Sequence, residues 1–434
     1  MGLSDFRDSD DDALHEAVRV LRSPATIRER CAAIAAAVSA GRSEHFSIDR
    51  LALPAVAERV ARITRERYPD LKVPVHSRWR HFEAGGIDRK AELDAHFADR
   101  TSIAAARSRV DLTVVSVLLD AGAGPSWSYL ERESGQRFAR SEGLGVATFR
   151  AFMMGRFSSD SGDPYRVDAR ALLDLDDAAL ASIFQVDERN PLVGLAGRAA
   201  LLRQLGVALR DQPQTFTSIG QPGHLFDALT YHAHAPKLRH HRPAPGAQRH
   251  HHVSAARILG ALLDAFSGIW PGGQSLGDLP LGDVWRHPQA GGQGSSAGLV
   301  PFHKLSQWLA YSLIEPFEWG GVQVMELDAL TALPEYRNGG LLLDAGVLVP
   351  REPTHLAQPL RPQDPWVVEW RALTIALIDE LAPLVRKELD RSADQLSLAS
   401  ILEGGTWAAG RQIATELREG GSPPVRIESD GTVM

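Results

Sequence analysis

Cysteine is almost missing from this 434-residue chain. Cys31 stands alone, which excludes an intrachain disulfide and any cysteine-rich zinc site. Long apolar runs are missing as well: no uninterrupted stretch approaches the ~18 residues that a membrane span requires. Basic residues are not in excess, with 47 Lys and Arg against 54 Asp and Glu for a net charge of −7, so the concentrated basic stripe of a nucleic-acid binder is not expected. The opening MGLSDFRDSDDDALHEAV is acidic and polar, unlike a signal peptide, and Phe6 stands where a myristoylation signal places Ser or Thr. These absences lead to the expectation of a soluble, reduced, cytoplasmic protein. What remains is an ordinary globular composition, 44% hydrophobic and 23% charged, long enough for one large domain or two to three smaller ones.

Helical periodicity dominates. Apolar residues recur at helical spacing over 12–40 and 51–66, in LLDLDDAALASIF (172–184), where Asp174 or Asp176 is a candidate N-cap, and in LAGRAALLRQLGVAL (195–209). VSAARILGALLDAF, PFHKLSQWLAYSLIEPF and the strongest pattern, 366–389, continue the series. LTALPEYRNGGLLLDAGVL reads as a loop segment, and the tail as a turn, one strand over Val425–Glu428 and an Asp-Gly turn. Residues 235–300 are rich in Pro, Gly and His and read as exposed loops or lids. Strands are too few for a βαβ series. The expectation is a mainly α protein, with an N-terminal helical layer (1–70) packed on a helical core (71–434).

Three motifs carry less than they suggest. Gly294-Ser295-Ser296-Ala297-Gly298 fits G-x-S-x-G, but that chemistry needs a strand before the serine, and none is indicated. His232 and His234, with His240, His241 and His250 to His252, could be metal ligands, yet they fall at a helix end and in a Pro-rich loop and read as solvated. Asp120-Ala-Gly-Ala-Gly-Pro-Ser-Trp127 lacks both the Walker A and the full G-x-G-x-x-G pattern. It is either a tight turn or a place where the backbone approaches a small ligand, with Asp120 and Trp127 as contacts.

Several segments together resemble the uracil catabolism protein 4 family: HSRWRHFEAGGIDR (76–89), VVSVLLDAGAGPSWSY, FQVDERNPLVGLAGR, PFHKLSQWLAYSLIEPFE, LPEYRNGGLLLDAGVL, VEWRALT and EGGTWAAGRQIA (403–414). The likeness spans nearly the whole chain after about residue 20; Val368 departs from the aromatic or acidic residue usual in the family. A fainter likeness is to the queuosine salvage proteins, N-glycosidases that hydrolyse a nucleoside 5′-monophosphate. It implies a fold akin to the helix-hairpin-helix DNA glycosylases. Their catalytic carboxylate lies in an Asp-Tyr-Arg motif, and Glu335-Tyr336-Arg337 takes its place here, one methylene longer.

These resemblances imply an activity. Breaking a ribose C1′–N bond builds positive charge on the sugar, so a carboxylate near C1′ and cations for a 5′-phosphate are required. Glu335 is the candidate carboxylate, with Asp344 and Glu369 as further acids; a salt bridge with Arg337 is the alternative for Glu335, and a buried arginine pair for Glu369. Lys304, Gln307 and Tyr311 share one helix face and are candidate contacts for phosphate and ribose, beside Tyr336, Arg337 and Arg371. Arg78 and Arg80, on a segment without apolar period, suit a phosphate through the guanidinium fork. The expected activity is hydrolysis of ribosylurea, as its 5′-phosphate, to urea and a ribose phosphate within nucleotide-level uracil degradation. It needs no cofactor, no metal, no nucleic acid and no membrane, only a small nucleotide-derived substrate. A metal-dependent amidohydrolase and a non-catalytic scaffold for the pathway are the alternatives.

Overall fold

The computed structural model describes residues 3–231, 250–271 and 273–428. It is mainly α, with short two-stranded ladders in place of any extended sheet. His232, His234, His240 and His241 lie outside the described residues. Among the described residues, no helix is long and apolar enough to cross a membrane.

The chain divides into two compact units. The first gathers the described residues of Met1–His76, Gly272–Gln307 and Leu327–Glu428; the second holds those of Ser77–Pro271 and Trp308–Glu326. Within the first unit, the helix Pro365–Leu389 starts on a proline, which forgoes only an N–H that has no partner there, and ends at Asp390 in the left-handed region. Its Trp366, Trp370, Leu373, Leu377 and Leu381 are buried at helical spacing. The helices Pro24–Ser39 and Leu53–Arg67 pack on it. Cys31 is fully buried there, and burial pushes its thiol pKa up.

In the second unit the apolar helix Ser102–Leu118 is buried along most of its length, beginning at Thr101, whose hydroxyl accepts from the Ala104 N–H. The periodic stretch 172–184 is not one helix. It is two, Ala169–Leu173 and Asp177–Ile183, capped by the Asp168 and Asp176 carboxylates. A run of Asp, Leu and Asp offers the backbone side-chain acceptors that end one helix and start another.

Two expectations are corrected. LPEYRNGGLLLDAGVL is not a loop, for Tyr336–Asp344 is helical despite Gly339 and Gly340. A Cβ at Gly339 would lie 2.5 Å from the Trp370 ring, so the glycine cost to the helix is accepted in return for close packing. Residues 280–301 are not an exposed loop either. Leu281, Val284 and Leu299 are buried against Val18 and Leu21, and Val284–Arg286 pairs antiparallel with Leu299–Pro301. Ser296 is buried in a short 3₁₀ turn and donates to the Gln293 carbonyl, with no nucleophile elbow around it.

The second unit contains a buried three-residue charge cluster. Glu131 is fully buried, and its carboxylate takes Arg89 at 2.8 and 2.6 Å and Arg150 at 2.6 Å. Burial pushes the Glu131 carboxyl up, but hydrogen bonds from Arg89, Ser134 and Arg150 outweigh it and bring its pKa to about 2. Glu131→Gln leaves the fully buried Arg89 without its counter-charge, while Arg150 keeps Glu92, and is expected to cost roughly 3–5 kcal/mol in urea unfolding at neutral pH. Since the folded pKa lies below the unfolded one, this contribution is present above the unfolded value and fades as pH falls toward about 2. The wild type therefore loses its advantage over the variant in acid; an unchanged difference between them from pH 7 to pH 3 would refute the assignment.

Candidate active site

Glu335 caps the helix Tyr336–Asp344. Its two carboxylate oxygens accept the backbone N–H of Arg337 at 2.7 Å and of Asn338 at 2.6 Å, satisfying donors that a helix N-terminus leaves without partners. The residue is buried. Burial pushes the carboxyl above the usual carboxylate range, while the two N–H groups and the positive charges of Lys304 and His76 pull the other way. Here, then, is an acid whose charge burial opposes and whose supporting donors are fixed in the backbone, with Lys304 and His76 nearby. The salt bridge with Arg337 does not form: that guanidinium donates to the Gly421 carbonyl at 3.1 Å and lies over the Tyr336 and Trp407 rings.

Lys304 opens the helix Lys304–Trp319 and is half-buried. Its backbone N–H donates to Asp283 Oδ2 at 3.0 Å. Asp283 also receives both arms of Arg371, at 2.8 and 2.7 Å, and the Trp285 indole at 2.7 Å. Burial raises the Asp283 carboxyl, but the Arg371 charge and hydrogen bonds outweigh it and take the pKa to about 2. Arg371, which also lies over the Phe302 ring at 4.1 Å, thus anchors the start of the Lys304 helix.

Other predicted site residues have structural partners. Gln307, fully buried, accepts from the Thr331 N–H at 2.9 Å and donates to the Thr331 hydroxyl and the Phe302 carbonyl. Tyr311 is fully buried in the second unit. Asp344 carries a two-armed pair with Arg418. The arginine expected for Glu369 is not its partner: Glu369 accepts from the Ser43 hydroxyl and from His287 Nε2 at 3.1 Å. The Gln289 N–H donates to His287 Nδ1 at 3.1 Å, which places the ring proton on Nε2, facing the carboxylate.

The remaining candidates lie in the second unit. Arg78 is fully buried, 3.0 Å from Asp120, and donates to the Ser116 hydroxyl and the Ser141 carbonyl. Arg80 pairs with Glu315 at 2.6 Å and Glu83 at 2.8 Å. The Trp127 indole donates to the Phe184 carbonyl at 2.9 Å, so this residue anchors the glycine turn. Of the predicted residues, the first unit therefore brings Lys304 into electrostatic reach of Glu335, with Tyr336 and Arg337 following it in the helix. Sequence reasoning missed His76, Glu403, Asp283 and His287. Their partners stand far away along the chain, 327 residues for His76 and Glu403, and no local spacing reveals such a pair. Among the described residues no group of three His, Cys, Asp or Glu side chains stands close enough to hold a metal ion.

A family model described as a protein of unknown function (DUF1688) matches residues 20–434. Uracil catabolism protein 4 of Lachancea kluyveri is 37% identical over 422 residues, covering 91% of this chain and 93% of that protein. Protein urg3 of Schizosaccharomyces pombe is 36% identical over 427 residues, covering 96% of this chain and 99% of that one.

The Glu335 helix is held by the helix Trp407–Leu417, which crosses it at Gly410. A Cβ on Gly410 would fall well inside van der Waals contact of the Arg337 carbonyl oxygen. Alanine for glycine in a helix ordinarily stabilises by roughly 0.5–1 kcal/mol. Here Gly410→Ala is expected to destabilise by about 1–3 kcal/mol, because backbone cannot move aside as a side-chain tip can. Urea denaturation measures it, and a neutral or stabilising alanine would show that the two helices do not need this contact.

Proposed function

The chain belongs to the DUF1688 family, and on that premise we propose that it acts in uracil catabolism as an N-glycosidase, hydrolysing ribosylurea 5′-phosphate to urea and ribose 5-phosphate. The printed name of the Lachancea kluyveri relative supports the pathway. The observation that carries the reaction is the Glu335 carboxyl, buried and raised in pKa, at a helix N-terminus beside Lys304 and His76.

The chemistry follows from the transition state. As the C1′–N bond stretches, positive charge develops on the ribose ring, and an ionised Glu335 lowers its energy in a site from which water is partly excluded. The same carboxylate orients the attacking water. Lys304, half-buried and near Glu335, supplies the cation for the phosphate, whose binding energy holds C1′ against the acid. Incubating the purified protein with synthetic ribosylurea 5-phosphate should release urea in stoichiometric step with reducing sugar. No urea release would overturn the proposal.

Glu335→Gln removes the charge and, because an amide NH2 cannot accept, one of the two cap hydrogen bonds, so urea unfolding of the variant accompanies the kinetics to show that it is folded. Turnover should fall ~10²–10³-fold, about 2.7–4 kcal/mol, with KM almost unchanged because the bound substrate carries no positive charge at C1′. In the wild type kcat should fall as pH drops through the raised Glu335 pKa, so the acid limb lies above the ordinary glutamate value of 4.5. The limb should vanish from the residual rate of the glutamine variant. A variant that turns over within a few fold of wild type, or an acid limb below pH 4, would place the carboxylate elsewhere.

A further inference from the structure

Residues 402–406, Leu-Glu-Gly-Gly-Thr, form a single π-helical turn between the helices Leu398–Ile401 and Trp407–Leu417. Such turns are rare and occur frequently at functional sites. The two glycines let the turn press onto the helix Leu53–Arg67: a Cβ on Gly405 would lie 2.5 Å from the Val60 side chain and 2.7 Å from its carbonyl oxygen. Glu403 is thereby delivered, buried, to the end of that helix. Its carboxylate receives Arg67 at 2.9 Å, the Tyr68 hydroxyl at 3.2 Å and His76 Nδ1 at 2.8 Å. Burial pushes the Glu403 carboxyl up, but the His76 hydrogen bond and charge, with Arg67, outweigh it and take the pKa to about 2. The His76 backbone N–H donates to the Ala399 carbonyl at 3.0 Å, so ring and backbone are both tied to the same segment. An imidazole held at Nδ1 by a buried carboxylate has its tautomer and orientation set. The Trp407–Leu417 helix that follows the π turn packs on the Glu335 helix, and the His76 charge bears on the Glu335 carboxyl.

We propose that His76 is the proton donor of the Glu335 site and that Glu403 is its positioning residue. The inference rests on the glycosidic reading of Glu335. As the C1′–N bond breaks, its electron pair passes to the ureido nitrogen, which takes the Nε2 proton of the imidazolium. Water adds to C1′ and returns a proton to Nε2, so one water is consumed and urea leaves neutral. A ureido anion is too basic to depart unprotonated, which makes an acid on this side of the bond a chemical requirement.

The test compares two leaving groups on the intact protein, ribosylurea 5-phosphate and 4-nitrophenyl riboside 5-phosphate, whose phenolate departs without a proton. His76→Gln should lower kcat on ribosylurea ~10²–10⁴-fold, the usual scale of general-acid catalysis, and on the nitrophenyl substrate by less than about tenfold. Glu403→Gln should lower kcat on ribosylurea with KM little changed and leave the nitrophenyl substrate within about tenfold, since it loosens the imidazole that Glu403 holds together with Arg67 and Tyr68. Equal losses on both substrates in the His76 or the Glu403 variants would reduce the pair to a structural role and overturn the inference. If His76→Gln does not fold, His76→Asn, with an amide N–H that reaches toward Glu403, carries the same comparison. A wild-type protein inactive on both substrates overturns the glycosidic reading itself. Activity abolished by Glu335→Gln but insensitive to His76→Gln and His76→Asn overturns only the proton donor.

Discussion

A carboxylate kept in a buried place needs donors that cannot leave, and the first turn of the Tyr336–Asp344 helix provides them for Glu335. Most of what surrounds this helix serves to hold that turn in place. Gly339 lets the helix touch Trp370, and Gly410 lets the Trp407–Leu417 helix meet the Arg337 backbone. Arg337 extends to the Gly421 carbonyl, and Asp344 at the far end is clasped by Arg418. Two glycines inside helices are costly by propensity alone, and both are placed where a methyl group would open a gap between packed helices.

The same logic organises the approach to the acid. Lys304 begins its helix on the Asp283 carboxylate, and Asp283 is fixed by Arg371 from the long Pro365–Leu389 helix. His76 is fixed by Glu403 from the π turn. Lys304 and His76, near Glu335, are thus each referred to a partner on a rigid element, which is what the proposed site needs if charge is to be stabilised without reorganisation. In the second unit three arginines are buried and paired with carboxylates: Arg78 with Asp120, Arg89 and Arg150 with Glu131. Clustered arginine in HSRWRHF looks, in one dimension, like a phosphate loop. In three dimensions Arg78 and Arg80 meet carboxylates of their own unit, because a buried guanidinium has to be compensated wherever it is.

The helical content was legible wherever one face carried a continuous apolar stripe. Residues 366–389 and 195–209 match the helices Pro365–Leu389 and Leu195–Arg210 almost residue for residue. Legibility failed where local chemistry and packing disagree. The helix after Glu335 was concealed by its glycines and by the polar Glu-Tyr-Arg-Asn start, which is a turn signature until Trp370 and the Trp407–Leu417 helix are present to pack against. The buried strand pair at 284–301 was concealed by the Pro, Gly and His around it.

For the candidate site, Glu335 was visible through the resemblance of Glu335-Tyr336-Arg337 to an Asp-Tyr-Arg motif, which is contiguous in the chain. Its electrostatic company was not. Lys304 could be assigned to a helix face, yet nothing in the spacing distinguishes a solvated lysine from one beside a buried acid. His76–Glu403, Asp283–Arg371 and His287–Glu369 join residues 327, 88 and 82 positions apart. Periodicity records which residues of one segment share a face, and so sets the mainly α class and the helix positions, while the candidate acid came from the resemblance alone. Which distant side chain meets that face is decided by helix packing: the close approach at Gly339, Gly405 and Gly410 brings separate segments together and selects the charge that stands beside each buried carboxylate.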